Sequence, residues 1–138
     1  MTHQATIISF ANHKGGVGKT KTTANVGSIL ASLGKKVLLV DMDAQSNLTS
    51  SLLKNEEVES TIYDALSASC RGAAYNLAVY PITENLDIVP SSLRLASADL
   101  ELSSVMAREH LLSDVLQSQV TNYDYILIDC PPSLGLLT

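Results

Sequence analysis

The sequence has few aromatic residues and few cysteines, and both shortages narrow the range of functions. Tryptophan is absent and aromatic residues make up 4% of the chain, so no stacking platform for single-stranded nucleic acid is expected. Cys70 and Cys130 lie far apart without metal-ligand spacing, which favours reduced thiols over a disulfide framework. No apolar run has the length of a membrane-spanning helix, and residues 1–6 lack a signal-peptide pattern, so a cytoplasmic location is expected.

Basic residues are also scarce. The 138 residues include 9 Lys and Arg against 14 Asp and Glu, which gives a net charge of −5. This balance argues against a strongly basic nucleic-acid surface on this piece of chain. With 46% hydrophobic and 17% charged residues, the composition is typical of a folded domain, and the length suffices for one core.

Apolar, β-branched runs predict the strands of a parallel sheet. Residues 5–11 (ATIISFA) predict a strand buried on both faces, and residues 37–41 (VLLVD) predict a second. Residues 123–133 contain a third, which ends in Asp129, and residues 86–92 contain a fourth, stopped by Pro90. So few strands would leave apolar edges and faces uncovered, so we expect the chain to be a fragment of a longer protein.

Helices are predicted between these strands. Apolar residues at helical spacing follow the first strand, and Gly34 would end that helix. These residues are Val26, Ile29, Leu30 and Leu33. Short helices are predicted near residues 46–53 and 60–67, the second capped by Ser60 or Thr61, and another from about Met106. The alternation predicts an α/β fold with a mostly parallel sheet and helices on both faces.

A glycine-containing loop separates the first strand from the first helix. Glycines at 15, 16 and 18 allow a tight turn whose backbone N–H groups converge on phosphate oxygens. Lys19 would reach the β- and γ-phosphates, and the hydroxyl of Thr20 would ligate Mg²⁺. The alternative is a glycine-rich turn with chance lysines, but the strand before it and the helix after it favour a P-loop.

The first positions of this loop depart from the usual pattern. His13 stands where the pattern has glycine, and Lys14 adds a second lysine. One loop seldom needs two ammonium groups for its own nucleotide, so Lys14 could reach the nucleotide of a neighbouring subunit. The alternative is a solvated surface lysine, and the chemistry alone leaves both open.

Two predicted strands end in aspartate at the edge of the sheet where ligands bind in open α/β folds. Asp129 would place a hard oxygen ligand near the phosphates, holding a water on Mg²⁺ or accepting a hydrogen bond from Thr20. Its alternative role is to cap the turn at residues 131–133. Asp43, just beyond the second strand, is the best candidate to orient the attacking water for hydrolysis.

These motifs together resemble those of a known family. KGGVGKT (residues 14–20) resembles the deviant Walker A motif of the ParA/MinD superfamily, and residues 21–41 continue the match. DMDAQSNLT (residues 41–49) is similar to the family's switch I, although Ala44 stands where the family usually has proline. DCPPSLG (residues 129–135) is similar to switch II. The switch I stretch is closer to ParA partition proteins of the small, Soj-like type than to MinD.

The resemblance implies a set of site residues. Lys14 would contact the nucleotide of the partner in an ATP-sandwiched dimer, and Asp43 would polarise the attacking water. Asp41 would be structural or would join the magnesium network of Thr20 and Asp129. The cofactors would be ATP and Mg²⁺. The nucleotide-binding residues would be Lys14, Gly15, Gly16, Val17, Gly18, Lys19, Thr20 and Lys21.

The resemblance also implies a cellular role. Residues 1–138 would be the N-terminal part of a single ParA-type ATPase domain, because family members are roughly twice this long. The protein would form an ATP-dependent homodimer, bind DNA non-specifically through the absent C-terminal half and respond to a ParB-like centromere-binding partner. It would be associated with the nucleoid and not with a membrane. Two alternatives stay open: a MinD-like membrane-cycling ATPase, and a phosphate-binding module without turnover.

Overall fold

The computed structural model describes residues 4–10, 19–54, 58–92, 95 and 105–130. These ranges contain five strands and four α-helices, and a short 3₁₀ turn at Gln117–Gln119 precedes the last strand. The strands are β1 (Thr6–Phe10), β2 (Val37–Asp41), β3 (Tyr80–Thr83), β4 (Leu86–Val89) and β5 (Tyr125–Asp129). The helices are α1 (Lys19–Ser32), α2 (Asn47–Leu53), α3 (Ile62–Cys70) and α4 (Val105–Leu116). Along the chain these elements follow the order β1-α1-β2-α2-α3-β3-β4-α4-β5.

The strands form one sheet in the order β1-β5-β2-β4-β3. All neighbouring pairs are parallel except β3 with β4, which are antiparallel at the edge. The predicted mostly parallel α/β sheet is therefore confirmed. The last strand, β5, lies between β1 and β2, so the two strands that flank the P-loop and α1 are not neighbours.

Strand β2 is buried along its whole length and contributes to two cores. Its alternate side chains face opposite sides of the sheet: Leu38 and Val40 in one hydrophobic cluster, Val37 and Leu39 in the other. The first cluster includes residues of α3 and α4, and the second includes residues of α1 and α2. Helices therefore cover both faces of the sheet, as the apolar run VLLVD predicts.

Strand β1 corrects one expectation. The sequence predicts a strand buried on both faces, but the side chains of Ile7 and Ile8 are 47% and 37% exposed. Only Phe10 at its end is partly buried. The physical reason is position, because β1 is the outermost strand and pairs with β5 alone among the described strands. The expected uncovered apolar edge is therefore present.

The most buried residues of helix α1 are small, and two large apolar residues near its C-terminus are exposed. Ile29 and Leu33, two of the residues whose spacing predicted this helix, are 59% and 69% exposed. Thr23, Gly27 and Ala31, spaced four residues apart, are buried instead. A Cβ added at Gly27 would lie 2.8 Å from Cδ2 of Leu39, so glycine permits this close approach.

Substitution of Gly27 tests this packing. We expect Gly27→Val to lower the free energy of unfolding by about 1–3 kcal/mol, because the added methyl groups overpack the core against Leu39. The matched control is Ser28→Val at the next, exposed position of the same helix, which we expect to change stability by less than about 0.5 kcal/mol. Urea unfolding measures both, and an equal loss in the two variants would contradict the packing argument.

The C-terminus of α1 and the N-terminus of α3 follow from their local sequences. Helix α1 is followed by Gly34 with φ of 88°, a left-handed conformation that glycine adopts without strain, as predicted. Helix α3 begins after Thr61, whose side chain accepts a hydrogen bond from the N–H of Tyr63 at 3.2 Å. Asp64 in turn accepts from the N–H of Thr61 at 2.8 Å, which completes a capping box. Thr61, and not Ser60, is therefore the cap.

A partly buried hydrogen bond joins the segment before β5 to the middle of β4. The hydroxyl of Tyr123 donates to Asp87 Oδ2 at 2.7 Å. Burial, followed by this hydrogen bond to the carboxylate, raises the pKa of Tyr123 well above its ordinary value. The phenol therefore stays protonated and remains a donor across the whole physiological range of pH.

Tyr123→Phe should destabilise the protein by about 1–3 kcal/mol, because it removes a hydrogen bond to a charged acceptor and leaves the ring in place. Tyr75→Phe is the matched control, since Tyr75 is 37% exposed. Thermal unfolding measured by circular dichroism compares the two. A Tyr123→Phe protein that unfolds at the temperature of the parent would show that the bond adds nothing to stability.

Candidate functional site

The carboxyl ends of three parallel strands meet at one edge of the sheet. The register aligns Phe10 with Asp129 and Asp129 with Asp41, so β5 places its last residue between the ends of β1 and β2. Two backbone hydrogen bonds continue this alignment, from Cys130 N to the Phe10 carbonyl and from Met42 N to the Asp129 carbonyl, both at 2.9 Å. Asp129 and Asp41 are both fully buried. This edge is where ligands bind in open α/β sheets.

Thr20, in the first turn of α1, points at this edge. Its hydroxyl donates to Asp129 Oδ2 at 3.1 Å, across 109 positions of sequence. The sequence predicts this contact as one of two roles for the Asp129 carboxylate. The other, capping the turn at 131–133, lies outside the described residues.

The Thr20 and Asp129 pair has the donor chemistry that magnesium needs. A hydroxyl and a carboxylate are hard oxygen ligands, and Mg²⁺ is usually held by one or two carboxylates, with waters and substrate phosphates completing its shell. Within the described ranges, no group of three or more His, Cys, Asp and Glu side chains could hold a metal by itself. The chemistry of the pair therefore fits a magnesium ion whose remaining ligands are waters and phosphate oxygens.

Asp41 is held by its own neighbours. Its Oδ2 accepts from the N–H of Thr49 at 2.9 Å and from the Thr49 hydroxyl at 2.7 Å, and its Oδ1 accepts from the N–H of Asp43 at 3.1 Å. Three hydrogen bonds from the loop and from α2 occupy both oxygens. The arrangement favours the structural role of Asp41 over the predicted role in the magnesium network.

The electrostatics of Asp41 reflect its burial. Desolvation raises the pKa of its carboxyl to about 6, and the nearby Asp129 carboxylate adds to the increase. The hydrogen bonds from Thr49 and Asp43 act in the opposite direction and limit the shift. The region between the two strand ends is therefore one where added negative charge is costly and a cation would be favoured.

Asp43 lies two residues beyond β2, half-buried at the same edge. Its Oδ1 accepts from the N–H of Gln45 at 3.0 Å, which forms an Asx-type turn. Its carbonyl accepts from the N–H of Ser46 at 2.8 Å and from the hydroxyl of Ser91 at 2.7 Å. The carbonyl of Asp43 is thus held both by its own turn and by the segment after β4.

Thr49 and Ser91 belong to this site although neither was predicted as a site residue, Thr49 being the last residue of the switch I stretch. Ser91 N–H donates to the Thr49 hydroxyl at 2.9 Å, across 42 positions of sequence. A buried carboxylate such as Asp41 needs donors, and a threonine eight residues further on could have been considered for this reason. Nothing in the sequence places Ser91 beside Asp43, since that contact depends on β4 pairing with β2.

Several predicted site residues lie outside the described part of the chain or at its border. Residues 14–18, which include Lys14 and the three glycines of the loop, are among them. Lys19 is the first residue of α1, at its N-terminus, and Lys21 is exposed in the same turn. Cys130 is buried in one of the two hydrophobic clusters.

The fold and this strand-end site define an α/β protein of the P-loop NTPase type, with a mostly parallel sheet and helices on both faces. The family model described as "AAA domain" matches residues 5–138. The chain belongs to this family.

Similar proteins include partition proteins and an enzyme with a bound nucleotide. The chain is 47% identical over 133 residues to sporulation initiation inhibitor protein Soj of Bacillus subtilis, covering 96% of this chain and 52% of Soj. It is 44% identical over 134 residues to the chromosome partitioning protein ParA of Myxococcus xanthus, covering 96% and 46%. The structure of cobyrinic acid a,c-diamide synthase from Mycobacterium smegmatis, with bound ATP analog and magnesium, superposes with a TM-score of 0.80 at 34% identity, covering 96% and 54%.

The chain thus spans about half the length of the curated relatives it matches. This agrees with the length expected from the resemblance to the ParA/MinD superfamily. In the part of the chain that the structure describes, no helix is long and apolar enough to cross a membrane.

Proposed function

We propose that the protein binds and hydrolyses ATP and uses this cycle to partition plasmid or chromosomal DNA. The observation that carries the proposal is the hydrogen bond from Thr20 to Asp129, which joins the helix after the P-loop to the acidic end of β5. P-loop NTPases use this hydroxyl and this carboxylate at the magnesium end of the nucleotide. The similarity to Soj and ParA supports the partition role.

Each residue of the site has a stated task in this proposal. The backbone N–H groups of residues 15–18 cradle the phosphates, and Lys19 neutralises the charge on the β- and γ-phosphates. Thr20 and Asp129 would hold magnesium, which when bound offsets the charge that develops on the transferred phosphoryl group. Asp43 orients the attacking water in line with the γ-phosphate. Lys14 reaches the nucleotide of the second subunit.

The proposed cycle couples nucleotide state to assembly. ATP closes a homodimer through Lys14, and the dimer binds DNA non-specifically, which places the protein on the nucleoid. A ParB-like partner stimulates hydrolysis and so releases the dimer. With a net charge of −5, residues 1–138 are a poor DNA-binding surface, so the proposal assigns DNA contacts to sequence beyond them.

Co-sedimentation tests the cellular part of this proposal. The protein as encoded by its gene is incubated with ATP or ADP and then with DNA, or with vesicles of anionic phospholipid. We expect ATP-dependent sedimentation with DNA and none with vesicles. ATP-dependent binding to vesicles alone would instead support a MinD-like cycle, and binding to neither would support a module that lacks the partition activity.

A further inference from the structure

We infer that Ser91 and Thr49 are positioning residues for Asp43, holding the segment after β2 against the end of β4. The inference rests on the proposed function, because it assigns these two residues to the hydrolysis step through the residue that orients water. Neither belongs to the P-loop or to the strand-end aspartates, and neither would touch the nucleotide.

The contacts form a continuous chain from β2 to β4. Asp41, the last residue of β2, accepts a hydrogen bond from the Thr49 hydroxyl at 2.7 Å. The hydroxyl oxygen of Thr49 accepts in turn from the N–H of Ser91 at 2.9 Å. The Ser91 hydroxyl then donates to the carbonyl of Asp43 at 2.7 Å. The two bonds of Thr49 are buried, so water competes poorly for them, and the bond from Ser91 to Asp43 is partly buried.

The backbone of Asp43 is held at both of its polar groups. Its N–H donates to Asp41 Oδ1 at 3.1 Å, while its carbonyl accepts from Ser91 and also from the N–H of Ser46 at 2.8 Å. The bond to Ser46 is local to the turn and would move with it. The bond to Ser91 joins this turn to the segment after β4, because Ser91 lies two residues beyond the end of that strand.

This geometry has a direct consequence for catalysis. A group that orients a water must be held to within a fraction of an ångström, and a displacement of about 1 Å can cost about a hundredfold in rate. Loss of the Ser91 hydroxyl leaves the Asp43 carbonyl with its local partner, so the fold is retained. What is lost is the hydrogen bond between this turn and the segment that follows β4.

Two readouts test the inference in the protein as encoded by its gene. Hydrogen exchange at the amides of Asp43 and Ser46 reports whether the turn is held, and it does not depend on turnover. Steady-state ATP hydrolysis reports kcat and KM.

The variants are Ser91→Ala and Thr49→Val, with Ser91→Thr as the conservative replacement that retains a hydroxyl. The matched control is Ser113→Ala, an exposed position on α4.

We expect Ser91→Ala and Thr49→Val to speed exchange at both amides and to lower kcat by about tenfold or more with KM unchanged. Ser91→Thr should recover part of the rate, and Ser113→Ala should match the parent. Once Asp43 is replaced by alanine, Ser91→Ala should cause no further loss of rate, because both changes act at one step.

Unchanged exchange and unchanged kcat in both Ser91→Ala and Thr49→Val would overturn the inference. A full additional loss in the Asp43→Ala background would also overturn it, since Ser91 would then act elsewhere. Failure of the proposed function is seen separately: the unsubstituted protein would then release no phosphate from ATP. In that case the catalytic assignment is overturned as well, while the exchange data still decide whether Ser91 holds the turn.

Discussion

Replacing Asp43 with alanine is expected to lower the rate of ATP hydrolysis by about a hundredfold or more, the usual contribution of a positioned acid–base group. The physical reason is that the neighbouring Asp41 does not take its place, because both of its oxygens already accept hydrogen bonds from Thr49 and from Asp43 itself. Phosphate release measured at saturating ATP gives the rate. ATP binding and ATP-dependent dimerisation should be retained, since Asp43 acts on the water and not on the nucleotide.

The matched control for this variant is Asp114→Ala, which removes an exposed carboxylate from α4 far along the sequence. Its rate should equal that of the parent. If Asp43→Ala hydrolyses ATP at the parent rate, Asp43 does not orient the water, and the assignment of residues 41–49 as a switch segment loses its chemical basis. A loss of ATP binding in Asp43→Ala would equally contradict the role described for it.

Replacing Lys14 with alanine is expected to abolish ATP-dependent dimerisation and leave nucleotide binding by the monomer in place. Truncating one partner of a buried charge contact at an interface costs about 2–5 kcal/mol, which is a loss of about thirtyfold or more in dimer affinity. Analytical ultracentrifugation with a non-hydrolysable ATP analogue measures the dimer directly. The analogue keeps hydrolysis from disassembling it during the run.

Lys35→Ala serves as the control for Lys14→Ala. Lys35 is exposed beyond the end of α1, so its replacement by alanine removes the same charge from a different surface. It should dimerise like the parent. If Lys14→Ala still forms the dimer with the analogue and hydrolyses ATP normally, then Lys14 is a solvated surface lysine and the loop is not an intersubunit device.

The sequence was sufficient to predict the elements that position the site. Buried apolar runs predicted β2, β4 and β5, and the acidic ends of β2 and β5 lie at one edge of the sheet as expected. The contact of Thr20 with Asp129 was also predictable, because a P-loop and an apolar strand ending in aspartate meet in this way. These features depend on local sequence patterns, and a parallel α/β sheet brings the segments that carry them to the same edge.

Other features depend on packing between distant segments, and the sequence did not predict them. Strand β3 is short and contains Pro81, which is tolerated because β3 is an edge strand. The helical spacing of apolar residues, Ile29 and Leu33 among them, predicted α1, but these two are exposed and the small residues at 23, 27 and 31 are buried. Periodicity identifies a helix but does not decide which side packs when small residues allow closer approach.

The hydrogen bonds around Asp43 illustrate the same limit at the site. A buried Asp41 requires donors, but the sequence does not say which residues provide them. Ser91 reaches Asp43 because β4 pairs with β2, which places the residues after β4 beside the residues after β2. Sequence motifs therefore identified the groups that would act on the nucleotide, and the fold was needed to identify the groups that hold them.

The most direct test of the account is the effect of magnesium on ATP binding, because Thr20 and Asp129 are assigned to the magnesium end of the site. Calorimetric titration with a non-hydrolysable ATP analogue measures the affinity in the presence of Mg²⁺ or of EDTA. The titrated proteins are the parent, Thr20→Val and the control Thr22→Val, which changes an exposed position of the same helix. We predict that magnesium strengthens binding by about tenfold or more in the parent and in Thr22→Val, and has little effect in Thr20→Val. Equal affinities with and without magnesium in the parent would contradict the account.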